Sequence, residues 1–154
     1  MSKKASIKIY QQVSNEEKVG ELKSIYKKNN IESDIFTFDS EIQKKISYCN
    51  FAITRCGAST LSELTYLNIP FIGIPFPYAK DNHQYYNAIH YENYNCCWVY
   101  SQNKIKEDEI LNLFQKITAN NEIYNEKLQN MKKISYENDW NNINKKLTNL
   151  INEY

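Results

Sequence analysis

The sequence has 154 residues, 42% of them hydrophobic, with 19 basic against 18 acidic side chains and a formal net charge of +1. That is enough apolar material for one core and little for two, and so even a balance excludes a protein whose main work is neutralising nucleic-acid phosphates. The longest apolar run, IPFIGIPF, is far too short to span a bilayer, and the polar start MSKKASIK lacks the apolar stretch of a signal peptide, so a cytoplasmic chain is expected.

In chain order, IKIYQQV reads as a first strand, and Ser14 opens a helix to about Lys28, with Ser14 and Glu17 spaced as a capping box. DIFTF is a second strand. A short helix from Ser40 to Tyr48 carries Ile42 and Ile46 one turn apart, and NFAIT follows as a third strand with an apolar centre. A helix bearing Leu61 and Leu64 ends near Asn68, where Pro70 favours a stop. FIGI is the fourth strand, Pro75 to Asn82 a loop, His83 to Tyr94 a helix, and CCWVY the fifth strand. From Lys106 the pattern is helical, with breaks near Asn120 and Ser135. Strands alternating with helices predict an α/β fold, a parallel sheet with flanking helices. One domain is expected over residues 1–154, its core at about 5–118 and its C-terminal helices at about 119–154.

Four cysteines, Cys49, Cys56, Cys96 and Cys97, include no C-x-x-C pair, so no metal site or disulfide is expected. Adjacent Cys96 and Cys97 should alternate across their strand, one inward and one outward.

Ligands of open α/β sheets sit beyond the carboxyl ends of the strands, and two loops there stand out. In TRCGAST, Gly57 permits a tight turn and close approach of a ligand to the backbone, while Ala58, Ser59 and Thr60 present free N–H groups at a helix start. A diphosphate is favoured there by the helix dipole without any lysine. Glu63 shares a helix face with Ser59 and is suited to accept hydrogen bonds from vicinal hydroxyls, as acidic residues do from ribose. In PFPYAKDNHQYYNA, Asp81, Asn82, His83 and Gln84 cluster where the next helix begins and offer donors and acceptors to sugar hydroxyls. Each has a plainer reading: Ser59 or Thr60 as a helix cap, Glu63 as a solvated surface residue, His83 as a cap or turn residue, Arg55 as the partner of a nearby carboxylate.

The segments TRCGASTLSEL and IPFIGIPFPYAKDNHQYYNA resemble the C-terminal, donor-binding half of the MurG glycosyltransferases, glycosyltransferase family 28. The family pattern runs arginine, a small residue, Gly-Ala, one further residue, Thr, and a glutamate three places on; this chain supplies Arg55, Cys56, Gly57, Ala58, Ser59, Thr60 and Glu63. The resemblance covers nearly the whole chain and is most specific from Arg55 to Asn87. It implies a Rossmann-like, C-terminal half of a GT-B glycosyltransferase whose substrate is UDP-N-acetylglucosamine. By the same resemblance Ala58 to Thr60 line the diphosphate, Glu63 holds the ribose, and the family's sugar-contacting pair of glutamines falls on His83 and Gln84, followed by Asn87. The uracil lies against the backbone near Phe38 and Asp39. No cofactor and no metal are implied.

The family's acceptor-binding N-terminal domain, the first strand of its donor domain and the glycine-rich diphosphate loop have no counterpart here. No catalytic residue is therefore expected in this chain, and activity should need an acceptor domain that presents a lipid-linked acceptor for peptidoglycan synthesis at the inner face of the plasma membrane. The missing strand belongs between IKIYQQV and NFAIT, so these either close up on each other or self-association or a partner chain completes the sheet. Two other readings fit the same residues: the donor subunit of a two-chain N-acetylglucosaminyltransferase, and a noncatalytic nucleotide-sugar-binding module or remnant.

Overall fold

The computed structural model describes residues 7–152. The chain divides into two compact units, residues 1–48 and 49–154.

The first unit holds β1 (Lys8–Gln12), α1 (Glu16–Lys28), β2 (Glu32–Phe36) and α2 (Ile42–Ser47). β1 and β2 are parallel, with Tyr10 opposite Asp34; among the described residues of this unit the buried apolar ones are Val19 of α1 and Ile35 of β2. α1 is capped by Asn15, whose side chain accepts from the Lys18 N–H at 3.0 Å, so the cap lies one residue beyond the expected Ser14. Glu16 and Glu17 in the first turn and Lys27 and Lys28 in the last complement the helix dipole. β2 starts and stops two residues before the expected DIFTF. Thr37 is held by side chains instead of a ladder: Gln12 Nε2 donates to its carbonyl at 3.0 Å, and its hydroxyl donates to Glu16 at 2.6 Å.

The second unit holds β3 (Ala52–Thr54), α3 (Ala58–Tyr66), β4 (Phe71–Gly73), α4 (His83–Asn93), β5 (Cys97–Val99), α5 (Glu107–Ala119), α6 (Asn121–Glu137) and α7 (Trp140–Asn152). Its sheet has the order β3-β4-β5, all parallel, with Ile53 opposite Ile72 and Ile72 opposite Trp98. All three residues of the central β4 are buried, as expected of a strand paired on both sides and covered on both faces. Around it pack Leu61 and Leu64 of α3, Ala88 of α4 and Met131 of α6, each at most 2% exposed. Asn68, in the left-handed region at φ 56°, ends the α3 turn, and the Ile69 N–H returns to the Leu64 carbonyl at 2.9 Å. Asn120 caps α6 by accepting from the Glu122 N–H, where a break is expected, and α6 ends at Glu137, two residues beyond Ser135, near which the next break is expected.

One expectation is corrected. Cys96 and Cys97 do not alternate: both are buried, because β5 begins only at Cys97 and Cys96 belongs to the turn set by Asn95 at φ 54°. Among the described residues the ladder partners of β1 lie in β2 and those of β3 lie in β4.

Candidate functional site

In the second unit, the chain leaves β3 at Thr54 and passes through Arg55, Cys56 and Gly57 into α3. Cys56 anchors this turn. It is fully buried and lies against Gly73, where an added Cβ would stand 2.9 Å from its sulfur. Burial pushes its thiol up to about 11, outweighing the nearby Arg55, so Cys56 is a packing residue and not a nucleophile.

Gly57 is the N-cap of α3 and offers no side chain to it; neither Ser59 nor Thr60 caps the helix. The plainer reading of those two residues therefore falls away. The Leu61 N–H is the first to find its intrahelical acceptor, the Gly57 carbonyl at 3.0 Å. The N–H groups of Ala58, Ser59 and Thr60 precede it and have no intrahelical acceptor. They point out of the helix end together with the positive end of its dipole. Gly57 itself has φ −69° and ψ 139°, a conformation open to any residue, so the tight turn does not require glycine. What glycine provides is space: a Cβ there would meet only the Thr60 hydroxyl, at 3.9 Å. Close approach of a ligand is the half of the expectation that remains.

Glu63 is half-buried one turn further on, with Ser59 exposed four residues before it. Among the described residues its carboxylate makes no hydrogen bond or ion pair, which leaves both oxygens available to hydroxyl donors.

The loop after β4 is tied to this turn. Arg55 donates through Nη1 to the carbonyls of Ile74 at 3.1 Å and Pro75 at 3.4 Å, and its guanidinium stands 5.6 Å from the Phe76 ring centre. It thus serves the main chain, not a carboxylate. Asp81 and Asn82 are both left-handed, at φ 52°, before α4 starts at His83. Asp and Asn are, after glycine, the residues that enter this region most readily, and the pair turns the chain sharply into the helix. His83 is exposed; its Nδ1 lies 2.8 Å from the Lys80 carbonyl and must donate there, which leaves Nε2 facing solvent as an acceptor in the neutral ring. Gln84 and Asn87 turn their side chains back to the α3 turn: Gln84 Oε1 accepts from the N–H groups of Cys56 at 3.2 Å and Phe76 at 2.9 Å, and Asn87 Nδ2 donates to the Cys56 carbonyl at 3.0 Å.

Between α3 and α4 lies an open cleft of about 310 Å³ lined by Ala58, Ser62, Tyr86, Asn87, His90 and Tyr91. Ser62 and His90 went unread in the sequence. The signal was there, since they follow Ala58 by four residues and Asn87 by three, the spacing that puts side chains on one helix face.

In the first unit, Phe38 is 80% exposed just beyond β2. Asp39 is held by Lys45 at 2.7 Å and by the Glu41 N–H at 2.7 Å, and the Lys45 ammonium lowers its carboxyl below the usual carboxylate range. Lys45 also pairs with Asp34 at 2.6 Å and lies 4.2 Å from the Phe36 ring centre. This cluster fixes the loop that carries Phe38.

Among the described residues there is no group of three or more His, Cys, Asp or Glu side chains arranged to hold a metal ion, and no helix long and apolar enough to cross a membrane.

Residues 1–147 match the model of the glycosyltransferase family 28 C-terminal domain. The chain is 41% identical over 153 residues to the UDP-N-acetylglucosamine--N-acetylmuramyl-(pentapeptide) pyrophosphoryl-undecaprenol N-acetylglucosamine transferase of Pelagibacter ubique, a match covering 99% of this chain and 43% of that protein. The enzyme of the same name from Rickettsia massiliae is 36% identical over 155 residues, covering 99% of this chain and 40% of its own length. The chain thus spans about two fifths of these curated relatives. Among solved structures it is similar to MurG of Acinetobacter baumannii, with a TM-score of 0.70, 21% identity, and coverage of 84% of this chain and 38% of that one. It is also similar to the spinosyn forosaminyltransferase SpnP, with a TM-score of 0.56, 10% identity, and coverage of 96% and 44%.

Proposed function

The chain belongs to the glycosyltransferase family 28 C-terminal domain family, and from that premise we propose that residues 1–154 are the UDP-N-acetylglucosamine-binding part of an inverting N-acetylglucosaminyltransferase that makes lipid II. The observation that carries the reading is the uncapped start of α3, where three N–H groups lie open in the family's Arg-to-Glu motif, one turn before a carboxylate with no partner among the described residues.

Each residue has a part. The N–H groups of Ala58, Ser59 and Thr60, in front of the space left by Gly57, receive the diphosphate. Glu63 accepts from the ribose hydroxyls. His83 Nε2, Gln84 Nε2 and Asn87 Oδ1 meet the acetylglucosamine, and Arg55 keeps the two loops at one spacing. In the first unit, the loop at Phe38 and Asp39 reads the uracil through its backbone.

In the reaction, an acceptor hydroxyl attacks the anomeric carbon, the bond to the diphosphate oxygen breaks with inversion, and UDP departs. The negative charge that grows on the leaving oxygen is stabilised by the α3 N-terminus, which is already oriented for it. No residue of this site is a nucleophile, and the base that takes the acceptor proton comes from the acceptor-binding part of the enzyme. That part, a peripheral membrane surface and a lipid-linked acceptor complete the activity, and the chain alone binds donor without turning it over.

The test of the ribose assignment compares UDP with its 2′-deoxy analogue by titration calorimetry. UDP should bind the wild-type chain more tightly by about tenfold, the size of one charge-assisted hydrogen bond, and Glu63→Ala should erase the difference. An undiminished preference for UDP in that variant removes Glu63 from the ribose site.

A further inference from the structure

The α3 turn is set from outside itself. A side-chain carbonyl oxygen can accept two hydrogen bonds, and Gln84 Oε1 accepts both of its own from main-chain N–H groups, those of Cys56 and of Phe76. These belong to different loops, one leaving β3 and one leaving β4. One helical turn along α4, Asn87 takes the other polar group of the same residue, the Cys56 carbonyl. Both main-chain polar groups of Cys56 are therefore held by side chains of α4. Cys56 directly precedes the N-cap Gly57, which has no side chain to fix the helix end, so the direction of the open N–H groups at Ala58 to Thr60 follows from how the Cys56 peptide is held. The partners also settle which way the Gln84 amide faces: with its ends exchanged, an NH₂ group would confront two N–H donors.

Resting on the nucleotide-sugar reading, we propose that Gln84 is a positioning residue for the diphosphate site as well as a sugar contact. Its carbonyl aims the α3 N-terminus, and only its Nε2 is left for a hydroxyl of the sugar. The two ends of the donor are thereby read by one side chain. A pure sugar contact would matter only when the sugar is present; a positioning residue matters for UDP alone.

The experiment titrates the chain and its variants with UDP and with UDP-N-acetylglucosamine, with thermal unfolding followed by circular dichroism. Gln84→Met, similar in length but without the acceptor, should weaken UDP by about tenfold, one net hydrogen bond to a charged-ligand site. Gln84→Glu, compared with Gln84→Met at about 1 M salt so that its added charge is screened from the diphosphate, keeps an acceptor for the Cys56 and Phe76 N–H groups and lacks the donor, so it should recover at least threefold of that loss for UDP while showing as little preference for the sugar nucleotide as Gln84→Met. UDP affinity unchanged in Gln84→Met, or equally weak in both variants, overturns the proposal. Should Gln84→Met fail to fold, Asn87→Ala releases the Cys56 carbonyl and should weaken UDP as well; wild-type affinity there overturns it too. A wild-type chain that binds neither ligand refutes instead the nucleotide-sugar reading, a distinguishable result.

Discussion

Gly57 and Gly73 stand on either side of Cys56, and the structure gives opposite forecasts for adding one methyl group to each. At Gly73 the new Cβ would lie 2.9 Å from the Cys56 sulfur and 3.4 Å from the Phe71 ring, both fully buried. Overpacking of that kind costs about 1–3 kcal/mol, which for a chain of this size lowers the unfolding midpoint by about 2–4 °C per kcal/mol. At Gly57 the backbone is already in a conformation that alanine adopts freely, and the Cβ would meet only the Thr60 hydroxyl at 3.9 Å. Gly57→Ala should therefore be neutral or stabilising by about 0.4–1 kcal/mol through the unfolded chain, while its methyl group occupies space in front of the α3 N–H groups and weakens UDP. Thermal unfolding with and without UDP reads both effects. The reasoning fails if Gly57→Ala melts well below wild type, or if it binds UDP as wild type does. For Gly73 the cross-check is the double variant: Cys56→Ala removes the clashing sulfur, so its cost and that of Gly73→Ala should combine to less than their sum, and strict additivity refutes the contact.

The thiols provide a second forecast. At pH 8 an aromatic disulfide reagent should label the half-buried Cys49 in the folded chain and reach Cys56, Cys96 and Cys97 only on unfolding; rapid labelling of all four in the native state contradicts the packing described. Burial raises Cys56 and Cys96 from the usual 9.0 to about 11, so the folded state holds protons that the unfolded state releases. Their contribution to stability is complete below pH 9 and is lost as pH rises to about 11, visible as a falling urea midpoint over that interval. Replacing both thiols by serine should make the fall shallower, while Cys97, whose buried thiol is also pushed up, keeps its share of it.

Much of this was legible in the sequence because local signals agreed with one another. His83 opens α4 where expected, Asn120 divides two helices, and the parallel αβ alternation follows from apolar runs punctuated by Pro, Asn and Gly. The uncapped α3 start was visible too, since the segment TRCGAST places glycine before the helix and puts its hydroxyl residues inside it. Strand edges were less legible: β2 ends at Phe36 because Gln12 and Glu16, distant in sequence, hold Thr37 away from the ladder. The burial of both Cys96 and Cys97 depends on where β5 begins, a matter of the Asn95 turn that period-two alternation does not encode. The roles of Arg55 and Gln84 as ties between two loops were hidden for a different reason. Residue type announces a donor or an acceptor, but only the folded chain brings the Ile74 carbonyl or the Phe76 N–H to meet it.

The account rests on a diphosphate held by the start of α3, and the most direct measurement is a calorimetric series with uridine, UMP and UDP on the 154-residue chain. Affinity should climb with each phosphate, steepest from UMP to UDP, fall with added salt as a charge-based site requires, and lose the UDP increment in Gly57→Ala. UDP binding no more tightly than uridine would contradict it.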